Sequence, residues 1–168
     1  MGDKRTFPGM TLTEVLAVLA ALSKSGYRFW VGGGWGVDAL YGRQTRAHRD
    51  LDLAVDLWDV EGTVETLTSR GYTTETDWRP VRVEMINPAV GWVDLHPVAF
   101  DESGYGRQAD IGGGWFEYPP GSFSFGNLGG VVVPCLSRNK QLQFRRGYEL
   151  RDVDRHDLQL LNHVWSSG

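Results

Sequence analysis

Between Gly32 and Val55 the chain runs GGGWGVDALYGRQTRAHRDLDLAV, and no other stretch restricts the fold as much. The run before it, Tyr27–Val31 (YRFWV), is aromatic and β-branched and predicts a strand. Gly32-Gly33-Gly34 breaks that strand, Trp35–Tyr41 suits a short helix, and Leu51–Val55 predicts a second strand entered through Asp50-Leu51-Asp52. Strand side chains alternate between faces, so Asp50 and Asp52 point one way while Leu51, Leu53 and Val55 point into a core. Two carboxylates on one face repel. They are tolerated cheaply only when solvated or when a cation sits between them. An oxygen-only ligand set suits Mg²⁺, which binds through one or two carboxylates together with substrate phosphates. A glycine turn opening a helix offers bare amides to phosphate oxygens. An isolated Asp-x-Asp is most often a solvated strand start; the glycine turn ahead of this one favours the phosphate-and-metal reading.

Two lookalikes fail. His48-Arg49-Asp50-Leu51 matches the start of a protein-kinase catalytic loop, but Val55 stands where the metal-binding Asn belongs and no Asp-Phe-Gly follows. The glycines spell neither G-x-G-x-x-G, because position 37 is Val, nor a P-loop, because no Gly-Lys-Ser/Thr exists.

The rest of the chain predicts a mixture of helices and hairpins. Thr11-Leu12-Thr13-Glu14 fits a capping box, and apolar residues at 12, 15, 16, 18, 19 and 22 make a helical stripe from about Leu12 to Ser25. Val60–Arg70 fits a helix closed by Gly71. Val81–Ile86 and Trp92–Val98 predict strands joined by the Asn87-Pro88 turn. Residues 101–128 predict long loops with short strands, and Val131–Val133 a strand ended by Pro134. Ser137 is expected to cap a helix through Arg146, and Asp154 a last helix through Trp165. The expectation is one α/β (α+β) domain over residues 11–168, a mixed twisted sheet flanked by helices, after a leader over residues 1–10. A length of 168 residues suits one domain.

Composition excludes several classes. The longest apolar run, Val15–Leu22, is eight residues, against about 20 for a bilayer span, and no signal peptide is visible, so a cytoplasmic protein is expected. Cys135 is the single cysteine, which rules out an internal disulfide and a Cys-rich zinc site. A net charge of −4 offers no basic excess for nucleic acid.

A third carboxylate stands at Asp94, in WVDLHPV, with Val93 and Leu95 on the opposite face. If the two strands pair as a hairpin, Glu84 lies near Asp94. Acids from neighbouring strands can build a metal-assisted phosphoryl-transfer site. Other candidates have plain readings. His96 shares the face of Asp94 and is read as packed or hydrogen-bonded. His156 and His163, seven apart on one helix, lack a third zinc ligand. Cys135 is read as core. Trp78, Trp92 and Trp115 suit either core or the wall of an acceptor pocket.

The order GGGWGVD, GRQTRAHRDLDL, WVDLHPV and VPCLSRNKQLQFRRGYELRDVDRHDL closely resembles the small lincosamide nucleotidyltransferases of the DNA polymerase β-like nucleotidyltransferase superfamily, from about Tyr27 to Leu161. Aminoglycoside 2″-nucleotidyltransferases share the early motif. The resemblance implies a nucleotidyltransferase fold and transfer of a nucleoside monophosphate, AMP from ATP, to a lincosamide hydroxyl with loss of pyrophosphate. It implies that Gly33 and Gly34 form the phosphate turn and that Asp50 and Asp52 hold Mg²⁺. Asp94 is then a metal ligand or the base, with Glu84 the competing base. Arg46, His48 and Arg49, and more weakly Gln141, Arg145 and Tyr148, become nucleotide contacts. Glu84, Asp101, Asp110 or Glu117 would receive the acceptor's amine, and a second subunit could complete an open acceptor side. The alternatives are an aminoglycoside-modifying relative and a nucleotide-binding or antitoxin-like module without turnover.

Overall fold

The computed structural model describes residues 9–167, with side chains through 164. The leader expected over residues 1–10 therefore lies mostly outside the described residues. Met10, at its end, is buried and bridges His48.

Chain order is α1 (Leu12–Lys24), β1 (Phe29–Gly32), α2 (Gly33–Tyr41), β2 (Asp50–Asp56), a short 3₁₀ turn, α3 (Val60–Ser69), β3 (Thr73–Trp78), β4 (Arg82–Asn87) and β5 (Gly91–Phe100). There follow β6 (Gly106–Ala109), β7 (Trp115–Tyr118), a second 3₁₀ turn, β8 (Phe123–Leu128), β9 (Val131–Leu136), α4 (Arg138–Phe144) and α5 (Asp152–Ser167). The strands form a mixed sheet in the order β3-β4-β5-β2-β1-β9-β8, with β6 on the end of β5 and β7 beyond it. β2 runs parallel to β5 and β1 parallel to β9; the other pairings are antiparallel.

Several expected boundaries shift for local reasons. Thr11 caps α1 by accepting from the Glu14 amide, but the Glu14 carboxylate accepts from Tyr72 Oη and Arg70 instead of closing a capping box. The helix expected from Trp35 begins at Gly33, because the glycine turn is itself its first turn. β9 continues through Pro134 to Leu136; Pro134 brings no N–H, and the ladder to β1 is the single pair Val31↔Cys135. α4 stops at Phe144 rather than Arg146. α5 starts at Asp152, and Asp154 sits inside its first turn, accepting from the Arg151 amide. β3 has no counterpart in the sequence reading: TTETDW has no alternation to detect, since this edge strand is mostly exposed on both faces.

Alternation divides the sheet into two faces. Leu51, Leu53, Val55, Val83, Met85, Val93 and Leu95 join Val15, Val18, Leu19 and Leu22 of α1, Trp35 of α2 and Val64 and Leu67 of α3 in the main core. The other face carries a smaller cluster, Ala54, Val98, Tyr118 and Leu136 with Trp30, Phe100, Phe123 and Phe144 around it. This second cluster covers only part of its face. The uncovered part carries the acids.

Candidate active site

One straight row of paired residues crosses five strands: Gly32↔Asp52, Asp52↔Asp94, Asp94↔Glu84 and Glu84↔Thr76. Neighbouring strands lie about 4.8 Å apart, so Asp52 and Asp94 are near neighbours while Glu84 stands about 9–10 Å from Asp52. Period-two alternation puts Asp50 on the same face, at the entry to β2.

Charge on this row is unevenly compensated. His96 Nε2 lies 3.3 Å from Asp52 Oδ1. Desolvation opposes the charge on Asp52, but the His96 hydrogen bond and charge, with Arg145 and Arg82, outweigh it and hold the carboxyl below its usual range. Asp94 goes the other way. Desolvation, reinforced by repulsion from Asp52 and Asp50, pushes its carboxyl up to about 7. Its Oδ1 is buried without a hydrogen-bond partner, 3.8 Å from Arg82 Nη2. Glu84 is better provided: Arg82 Nη2 donates to Oε2 at 2.9 Å and Thr76 Oγ1 to Oε1 at 3.2 Å. Arg49 takes both oxygens of Asp50, at 2.6 and 2.7 Å.

The glycine turn abuts this row. Gly33 has φ +57°, and a Cβ on it would lie 2.3 Å from Asp52 Oδ2. A Cβ on Gly34 would lie 2.5 Å from Arg46 Nη2 and from His48 Nδ1. Only glycine lets the backbone come this close to the carboxylate and to the loop. Gly32, the N-cap of α2, has no side chain to occupy the first amides, so they remain available to an anion.

The expected nucleotide contacts separate into two kinds. Arg145 is buried, donating to Gln141 O and Oε1 and to Asp157 Oδ2, each at 3.0 Å; its Nε and Gln141 Nε2 have no hydrogen-bond partner among the described residues. Arg46 is held by the same Asp157, at 3.3 and 3.2 Å. Tyr148 is half exposed. His48 lies beside the turn, but it is buried against Trp35 with Nε2 2.5 Å from Asp38 Oδ2, so it buttresses the loop.

Two adjoining cavities meet at Asp52, sharing Gly33, Arg145, Arg151 and Asp154. One, of about 230 Å³, has an apolar floor of Ala54, Tyr118, Leu136 and Phe144 with Tyr148 on its wall. The other, of about 300 Å³, is lined by Gly34, Arg46, Arg49, Asp50, Arg151 and Asp157. A groove of about 200 Å³ lies on the far side of His96, bounded by Trp78, Val81, Arg82, Ile111 and Phe116.

The other residues singled out in the sequence lie apart from this centre. Trp92 is buried, not a pocket wall. Trp115 lines a separate hollow with Phe100 and Arg107. Asp101 caps its own loop through Ser103 and Tyr105, Glu117 accepts from Tyr105 Oη, and Asp110 borders the groove beside Arg82. His156 pairs with Thr45 Oγ1 and His163 with the Tyr41 ring, so the two histidines do not converge. Burial pushes the Cys135 thiol up to about 12, which leaves it a core residue.

The family profile described as aminoglycoside-2″-adenylyltransferase matches residues 14–161. The chain belongs to this nucleotidyltransferase family. A lincosamide resistance protein of Staphylococcus haemolyticus is 33% identical over 92% of the chain and 96% of that protein. The crystal structure of the lincosamide antibiotic adenylyltransferase LnuA, lincomycin-bound, superposes with a TM-score of 0.85 at 33% identity, covering 93% of this chain and 99% of that one. The crystal structure of ANT(2″)-Ia in complex with adenylyl-2″-tobramycin gives a TM-score of 0.73 at 20% identity, over 94% and 89%, and shows the shared fold. No described helix is long and apolar enough to cross a membrane.

Three residues of this nucleotidyltransferase were missed from sequence, and each left a trace. Asp38 is a charge inside the apolar run WGVDAL; it is buried and accepts from Thr45 N and Oγ1 as well as facing His48. Asp157 shares a helical stripe with Asp154 and Leu161 at spacings of three and four, all buried. Arg82 precedes Glu84 by two residues and shares its face, which puts it between the two candidate bases.

Proposed function

We propose that the chain transfers a nucleoside monophosphate, AMP from ATP, to a hydroxyl of a lincosamide-type antibiotic and releases pyrophosphate. The observation that carries this reading is the row Gly32–Asp52–Asp94–Glu84, which joins a phosphate-suited turn to carboxylates where two cavities meet. The similarity to a lincosamide resistance protein over nearly the full length of both chains supports the acceptor class.

Asp50 and Asp52, with Asp94 at their side, would hold Mg²⁺. The donor set fits the ion: carboxylate oxygens only, with Asp50 and Asp52 on one face of β2 and Asp52 paired with Asp94 of β5. Among the described residues no group of His, Cys, Asp or Glu is already gathered as a cage, and Arg49 occupies Asp50, so substrate phosphates are needed to complete the ligand shell. Bound there, Mg²⁺ would neutralise triphosphate charge and favour in-line geometry at the α-phosphorus.

Arg46, Arg49, Arg145 and Arg151 give the polar cavity the charge a triphosphate needs, and the glycine turn adds backbone amides. The apolar cavity beside Tyr148 suits the base. The acceptor oxygen attacks the α-phosphorus, the bond to the pyrophosphate oxygen breaks, and the hydroxyl proton passes to a carboxylate. We assign that carboxylate to Asp94. Glu84 is already engaged by Arg82 and Thr76, whereas Asp94 stands next to Asp52 and its Oδ1 has no hydrogen-bond partner among the described residues.

The test is pyrophosphate release and an AMP mass increment on lincomycin, with ATP and Mg²⁺. Asp52→Asn should abolish turnover with melting intact. Asp94→Asn should lower kcat by ~10²–10⁴ with nucleotide affinity nearly kept, and Glu84→Gln should lower it much less. Normal kcat in Asp94→Asn with a collapse in Glu84→Gln would reassign the base. Absence of pyrophosphate release from the wild type with any antibiotic would end the reading.

A further inference from the structure

The groove beyond His96 continues the row of acids toward β3, on the side away from the glycine turn. Its walls are Trp78, Val81, Ile111 and Phe116, and three of these aromatic and aliphatic side chains are exposed in the unliganded protein: Trp78, Ile111 and Phe116. On the transferase reading, an acceptor approaching from the side opposite the glycine turn would cross this groove. Arg82 lines it and lies between the groove and the buried carboxylates of Glu84 and Asp94, which are not on the lining. Its Nη2 is 2.9 Å from Glu84 Oε2 and 3.8 Å from Asp94 Oδ1, and its guanidinium faces the Trp78 ring at 5.8 Å. Among the described residues on the groove wall, Asp110 is the acid.

We propose that Arg82 sets acceptor specificity: it cancels the acidic character of the groove and so excludes polycationic acceptors, leaving a site for a largely apolar acceptor with at most one positive charge. This rests on the transferase reading above and adds the chemistry of the acceptor to it. A guanidinium has donors and no acceptor, so it offers an incoming molecule a place for hydroxyl or carbonyl oxygens and repels ammonium groups. An aminoglycoside carries several ammonium groups and needs several unpaired carboxylates; here the groove lining carries one acid, Asp110, against the Arg82 guanidinium, and Glu84 behind it is already paired with Arg82. A lincosamide carries one basic amine and a broad apolar portion, which matches one acid and a wall of Trp78, Ile111 and Phe116. Selectivity by this device comes from repulsion, a term that contact area alone does not reveal.

The experiment compares kcat/KM for lincomycin and kanamycin, with ATP and Mg²⁺, in the wild type, Arg82→Gln and Arg82→Lys. Because Arg82 touches both candidate bases, overall rates will fall; the quantity read is the kanamycin-to-lincomycin ratio within each protein, from which a general loss of catalysis cancels. The ratio is expected to rise at least ~10-fold in Arg82→Gln and to stay near the wild-type value in Arg82→Lys, which keeps the charge. In the wild type alone, raising NaCl from about 50 to about 300 mM should narrow the discrimination, since the repelled groups are partly solvated. This second measurement does not depend on any variant folding. Equal handling of both antibiotics by the wild type overturns the inference and leaves the transferase reading standing. So does a ratio unmoved in folded Arg82→Gln, or discrimination indifferent to salt. Failure to modify lincomycin at all overturns the transferase reading itself.

Discussion

Replacing Gly33 by Ala tests whether the glycine turn proposed for phosphate holds Asp52, the proposed metal ligand, in register. The new methyl carbon would lie 2.3 Å from Asp52 Oδ2, 3.1 Å from its Cγ and 3.2 Å from its Cβ. Ordinary contact needs about 1 Å more than the shortest of these, so the carboxylate must swing away or the turn must lift. Either movement also strains the 3.3 Å contact between Asp52 and His96. The backbone contributes separately: φ is +57° at Gly33, and an L-residue there costs roughly 1–2 kcal/mol. In a domain of this size each kcal/mol lowers Tm by roughly 2–4 °C, so the melt should fall by only ~2–8 °C. Displacing a catalytic group by about 1 Å costs on the order of 100-fold in rate. The expected signature is therefore a folded protein with kcat down ~100-fold or more. Gly32→Ala is the matched control. Gly32 has φ −115°, which any residue adopts, and its added carbon meets only the Leu136 methyl at 3.2 Å. That variant should stay within about tenfold of wild-type kcat. Paired melting curves and pyrophosphate-release assays decide the matter. If Gly33→Ala keeps most of its kcat while melting as calculated, the turn does not position Asp52 and the reasoning fails.

Two further predictions concern the buried acids of α5. Asp157 is buried and anchors Arg46 and Arg145, so Asp157→Ala should cost about 3–5 kcal/mol and raise the KM for ATP, as read by denaturant unfolding and initial rates. An unchanged KM in a folded variant would separate those arginines from the nucleotide. Asp154 has its carboxyl held down to about 2 by Arg151, against 3.8 for the ordinary group. The folded value is depressed, so the stabilisation is present at neutral pH and is lost as pH falls from about 4 toward 2. Arg151 is largely exposed, which screens the pair, and Asp154→Asn should cost about 1–2 kcal/mol at pH 7. The gap between wild type and variant should close in acid, and a gap independent of pH over that window would contradict the assignment.

Local pattern was enough to place the acids on one face of the sheet. The alternation of DLDLAV fixed which side Asp50 and Asp52 occupy, and WVDLHPV did the same for Asp94, because a strand allows its side chains only two directions. The hairpin between β4 and β5 was legible from two apolar runs around Asn87-Pro88, and with it the nearness of Glu84 to Asp94. Long amphipathic helices such as α1 declared themselves by period. Edge strand β3 stayed hidden, since exposed Thr, Glu and Asp on both faces carry no hydrophobic signal.

What the chain alone determined is thus the kind of chemistry: which acids share a face, and which glycines stand ahead of them. What only the tertiary structure decided is their compensation. β2 lies parallel to β5, so Asp52 meets Asp94 across a connection of some forty residues, and no short-range pattern carries that register. Arg82 meets Glu84 and Asp94, Asp38 meets His48, and Asp157 meets Arg46 and Arg145, in each case because packing removes these groups from water and leaves them only one another. Alternation sets the direction of a side chain, but the charge it meets depends on strands and helices brought together from distant parts of the chain.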